Sequence, residues 1–156
     1  MKPILFFLTI VCIHFSVQSQ TSYIDWNKKD IIENIVSLEN KRNKDYTIAT
    51  KDSAEVLKVE ITGHEKINCE FRFDSLEFCN TSNFIYCCDA CSEKHIKEFV
   101  EHKYYGWVKM TPGLYYSKRK HKTQMEIFNS NVAVTIIIFT KINWTKKEYK
   151  ELIKKQ

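Results

Sequence analysis

The chain has 156 residues, 44% of them hydrophobic, a formal charge of +5, and 21 lysines against three arginines. That length suits one domain with a single core, and three glycines and two prolines leave little material for linkers. Arginine supplies the bidentate fork that reads phosphate, so its scarcity argues against a nucleic-acid binder.

The opening MKPILFFLTIVCIHFSVQS sets one lysine before an apolar run from Ile4 to Val17 and ends in small and polar residues. This layout predicts a secretory signal peptide over residues 1–19, with Val17 and Ser19 at the −3 and −1 positions of cleavage. Its apolar core is short for a membrane span, and no later run approaches 18 apolar residues. Residues 20–156 are then expected as a single exported domain, periplasmic or extracellular, with a charge of +4.

After a short polar lead, NKKDIIENIVSLEN reads as an amphipathic helix capped by Asn27, with Ile31, Ile32, Ile35, Val36 and Leu38 at helical spacing. The period then changes to two. Leu57, Val59 and Ile61 alternate with polar residues, as do Ile67, Cys69, Phe71 and Phe73, and reversals are expected at Gly63-His64 and Asp74-Ser75. DACSEKHIKEFVEHKYY returns to helical period through Ile96, Phe99, Val100 and Tyr104.

A second meander follows: GWVKM, a type II turn at Pro112-Gly113, the strand LYYSKRKHK, TQMEIF, and VAVTIIIF, apolar on both faces and so expected at the sheet centre. The tail NWTKKEYKELIKKQ carries a capping box of Thr145 and Glu148, flanked by Trp144 and Tyr149 as a staple. The expected fold is α+β: a twisted antiparallel sheet of six to eight strands in two meanders, helices packed on one face, with a weak internal duplication of pattern. The order helix, meander, FRFD…C, helix, W, meander over Trp26–Phe139 resembles small exported bacterial α+β proteins of unassigned function. The resemblance implies a fold and brings no activity or site residues.

Cys69, Cys79, Cys87, Cys88 and Cys91 remain after signal removal, an odd number in an oxidising compartment where pairing is the default. All five are disulfide candidates. A three-residue loop centred on Asp74 would set Cys69 and Cys79 face to face, while Cys87 or Cys88 has Cys91 or a strand cysteine as alternative partners. A sharper reading of the same segment is metal. Cys88, Cys91 and His95 have ligand-like spacing, and on a continuous helix Cys91, His95, Glu98 and His102 fall within a strip about 60° wide, which would suit zinc or copper. CDAC at Cys88–Cys91 also has redox spacing, but the surrounding meanders lack the βαβ context.

YYSKRKHK carries a cationic patch of Lys118, Arg119, Lys120, His121 and Lys122, suited to an anionic glycan, a lipid headgroup or nucleic acid. The competing explanation is a solvent-facing hairpin whose lysines protect an edge strand. The C-terminal helix limits membrane contact to a peripheral one through Tyr149, Leu152 and Ile153. Asn80 and Asn143 head glycosylation sequons, and Trp26, Trp107 and Trp144 sit at element starts as core or staple residues.

No phosphate loop, nucleophile elbow or H-E-x-x-H is present. The leading expectation is therefore an exported, non-enzymatic binding or envelope-associated module whose partner is a protein or an envelope polymer, with no cofactor. The alternative is a metal- or thiol-handling protein built on Cys88, Cys91, His95 and His102.

Overall fold

Both period-two stretches become four-stranded meanders. The computed structural model describes residues 22–41, 47–63, 66–87, 89–120, 122–129 and 134–154. The signal peptide over residues 1–19, Cys88, His121 and the Cys91 side chain lie outside the described residues. The elements run α1 (Lys28–Lys41), β1 (Thr47–Asp52), β2 (Val56–Thr62), β3 (Lys66–Phe73), β4 (Cys79–Tyr86), α2 (Asp89–Glu101), β5 (Trp107–Thr111), β6 (Leu114–Ser117), β7 (Thr123–Asn129), β8 (Thr135–Lys141) and α3 (Lys146–Lys154). The strands form one open antiparallel sheet in the order β1-β2-β3-β4-β8-β7-β6-β5. Each half is thus a helix followed by a meander, and the two meanders meet through their last strands.

Directly opposed residues share a face of the sheet. One row runs Leu57, Phe71, Ser82, Phe139, Met125, Tyr115 across six strands, and the next runs Val59, Cys69, Phe84, Ile137, Ile127. These rows carry the core, and Leu57, Phe71, Met125, Ile137 and Phe139 are fully buried. Burying side chains of this size stabilises by about 1.5–3 kcal/mol each. Ile31 and Ile35 of α1 and Phe99 of α2 join the same cluster. Phe84 ties the halves together, its ring 6.0 Å from Phe71, 5.8 Å from Phe99 and 5.9 Å from Phe139.

Local chemistry sets the ends of the elements. Asn27 Oδ1 accepts the Asp30 N–H at 2.9 Å, and its side-chain amide donates back to the Asp30 carboxylate at 2.6 Å, a reciprocal cap for α1. In α3 the Thr145 N–H donates to Glu148 at 2.8 Å while Thr145 Oγ1 accepts the Glu148 N–H at 3.3 Å, and the Trp144 and Tyr149 rings lie 6.5 Å apart. The capping box and staple read from the tail are therefore present. Gly113 (φ +80°) turns β5 into β6, where a Cβ would stand 2.6 Å from the Ile127 carbonyl oxygen. That contact leaves glycine alone fitting the position.

Several expectations need correction. Tyr116 points to the sheet face opposite Tyr115, and Trp144 packs against it at 4.8 Å, so the contacts of α3 do not follow those of α1 and α2. The strand read over LYYSKRKHK stops at Ser117, and Lys118, Arg119 and Lys120 bend away from it ahead of β7. β6 lies between β5 and β7, so this patch guards no edge; the edges are β1 and β5. Val36 is 42% exposed and Tyr104 is 52% exposed, outside the apolar stripes assigned to them.

Candidate functional site

The lead before α1 is short but not peripheral. Tyr23 and Ile24 are buried in the core, and Tyr23 (φ 56°) and Asp25 (φ 67°) both adopt the left-handed region, which is rare for a bulky residue such as tyrosine. Hydrogen bonds over-determine this path. The Asp25 N–H donates to the Cys79 carbonyl at 2.9 Å, and the Cys79 N–H donates to the Trp26 carbonyl at 2.8 Å. The Ser22 N–H donates to the Tyr105 hydroxyl at 2.8 Å, which in turn donates to Ser22 Oγ at 2.9 Å. Ser82 Oγ, in the middle of the core face, donates to the Ser22 carbonyl.

Tyr105 is held from the other side by Ser117, whose buried hydroxyl donates to the Tyr105 carbonyl at 2.7 Å and accepts the Lys120 N–H at 2.7 Å. The two buried serines thus anchor the lead segment and the loop after α2 to the sheet. Between these loops lies a cavity of about 490 Å³, lined by Ser22, Ile24, Asp25, Trp26, Asn34, His102, Tyr104, Tyr105, Lys120 and Thr123. It brings His102 of the expected metal set together with Lys120 of the cationic patch.

The electrostatics of the cavity are specific. Lys141 reaches Asp25 at 2.6 Å, and this hydrogen-bonded pairing holds the Lys141 ammonium above the usual lysine range. Lys120 lies 5.0 Å from the centroid of the Tyr104 ring, and the hydrogen bond with Tyr104 raises its pKa in turn. The Tyr104 N–H donates to His102 Nδ1 at 3.3 Å. The Tyr105 ring stacks on Trp107 at 4.9 Å with 17° between planes, backing the aromatic wall with core.

The remaining candidate residues separate. α2 ends at Glu101, where the His102 N–H turns back to the Phe99 carbonyl at 3.2 Å, so the helical strip does not extend to His102. His95 instead stacks on Tyr86 at 4.5 Å, with Nδ1 3.3 Å from Glu98. Among the described residues no group of three or more His, Cys, Asp or Glu side chains is placed to hold a metal ion.

Cys69 and Cys79 do not face each other. Cys69 stands opposite Phe84 and Cys79 opposite Phe73. Phe84 and Cys79 stand five positions apart on β4, roughly 16 Å of extended strand, far beyond disulfide reach. The reversal is offset because Asp74 begins the turn rather than centring it: its Oδ1 accepts the N–H groups of Leu76 and Phe78 at 2.9 and 3.0 Å. Both thiols are free, and burial pushes each up to about 12. Cys87 is free and exposed.

The lead segment has no place among the residues expected from sequence to form the site. Three large apolar residues in SYIDW, directly before a helix cap, were the available signal. No family model, no curated protein and no solved structure matches the chain.

Proposed function

We propose that the chain is an exported, non-enzymatic binding module, periplasmic or extracellular, that engages an envelope polymer through the cavity between the lead segment and Lys120. The observation that carries this reading is the composition of that cavity. Three aromatic residues, Trp26, Tyr104 and Tyr105, surround a small number of polar groups, the usual make-up of a recognition site. Two of the lining groups that could serve chemistry are committed to structure: Asp25 pairs with Lys141, and Ser22 Oγ accepts the Tyr105 hydroxyl. Strain in the lead segment fits a wall held in one shape for a ligand. The resemblance to small exported bacterial α+β proteins supports the same compartment.

Chemical-shift mapping of the exported protein against soluble saccharide fragments of a bacterial envelope tests the reading. Shifts should concentrate at Trp26, His102 and Tyr104, and Tyr104→Ala should remove them without unfolding the chain, since that ring is half exposed. Turnover of the fragments, abolished by His102→Ala, would instead make the cavity catalytic and end the proposal.

A further inference from the structure

We infer that the cavity takes a carboxylate carried on a six-membered ring, an inference that rests on the binding role proposed above. Among the described residues of its lining the one acidic group, Asp25, is already neutralised by Lys141 at 2.6 Å. Lys120, on the same lining, makes no ion pair with a carboxylate among the described residues, so the cavity keeps a surplus positive charge.

The neutral groups add donors. Asn34 Oδ1 is occupied by the Tyr23 hydroxyl at 2.9 Å, leaving the amide nitrogen to donate. His102 Nδ1 accepts the Tyr104 N–H, which leaves Nε2 as the ring nitrogen that carries a proton and donates. Lys120, Asn34 and His102 therefore call for an acceptor, and a carboxylate meets a cation and N–H donors with the strongest hydrogen bonds available. The rings of Trp26 and Tyr104, with buried Tyr105 behind them, call for a ring beside it. Two sources share that chemistry: a uronic acid, which presents ring C–H bonds to the aromatics, and an aromatic acid, which stacks on them.

Calorimetric titration of the exported protein with glucuronate, benzoate and glucose separates these cases. The inference expects one or both acids to bind and glucose to bind at least tenfold more weakly. Binding by glucuronate alone assigns a sugar acid, and binding by benzoate alone assigns an aromatic acid. Lys120→Met, which keeps the stem but not the charge, should weaken the acid by about tenfold or more. Lys120→Arg should restore most of the affinity, and Lys150→Met on the exposed side of α3 should change nothing. Glucose binding as tightly as glucuronate, or undiminished binding in Lys120→Met, overturns the inference and leaves the binding role standing. Envelope saccharide fragments that bind while all three probes fail do the same. If neither the probes nor the fragments perturb the cavity, both proposals fall.

Discussion

On the outer face of β1–β4, Lys58 stands opposite Glu70 and reaches it at 3.2 Å, Arg72 reaches the same carboxylate at 2.7 Å, and Lys66 pairs with Glu60 at 2.8 Å. Across the seam the same row passes through Asn83, Ile138, Glu126 and Leu114 to Thr111, and Phe128 nearby is 48% exposed. Exposed ion pairs stabilise little, so the first half's charges serve chiefly to finish a surface for water. The second half is less regular. β5 and β6 have five and four residues and pair through a register shift, and the loops flanking them frame the cavity. The longer-stranded half supplies the platform and, through its lead segment, one wall of the cavity, and the shorter-stranded half supplies the loops that present His102, Tyr104 and Lys120.

The sharpest test of this contrast asks whether the halves differ in stability as well as in surface. Phe71→Ala in the first half and Phe139→Ala in the second each empty a fully buried site and should cost about 3–5 kcal/mol in urea unfolding. A single transition in both variants is expected, because Phe84 couples the halves; two transitions in either one would mean that the halves unfold separately.

The next effect belongs to the first half, which holds the two buried thiols among the described residues, Cys69 and Cys79. Their folded-state pKa of about 12 lies above the ordinary 9.0, so the folded state binds these protons more tightly. Stability is full below pH 9 and is lost as pH climbs towards 12, by about 1.4 kcal/mol per pH unit for each thiol. Urea midpoints at pH 8 and pH 10.5 measure this, and the double change Cys69→Ala with Cys79→Ala should flatten the slope.

Smaller again, Thr145→Ala removes the α3 cap and should cost about 1 kcal/mol, loosening Trp144 against Tyr116 without moving Cys69 protection in thiol-exchange measurements. The smallest effect is expected at the ion-pair lattice. Burial raises the Glu70 pKa, but hydrogen bonds from Lys58 and Arg72 more than offset it, so the folded value is lowered. Its contribution is present above the ordinary carboxylate pKa of 4.5 and fades as pH falls below that. Glu70→Gln should cost less than about 1 kcal/mol in urea unfolding at neutral pH, and a larger loss would give the lattice a structural role.

Features written into short stretches were legible in the sequence. Asn27 with Asp30, Thr145 with Glu148, and the alternation through Cys69, Phe71 and Phe73 each act within a few residues, and each appears in the structure. What could not be read depends on contacts distant in the chain or on side chains that redirect the backbone. The Asp74 side chain moves the β3–β4 register away from the pairing expected of Cys69 and Cys79. α2 stops before His102, which breaks the expected ligand strip and delivers that imidazole to the cavity. The cavity needed Ser82 and Ser117 to reach Ser22 and Tyr105, contacts that no local pattern announces.

The meeting of β4 with β8 also governs how the chain acquires its fold. These strands lie about a third of the chain apart, and their pairing places Phe84 beside Phe139. Closing so long a loop precedes any return from that contact, which is the signature of a high contact order and slow folding. During synthesis from the N-terminus, β4 stands as a sheet edge open on one side until residues 135–140 have followed. That edge is the point at which an incomplete chain would add to another copy of itself, and the arrival of the last strand removes the hazard.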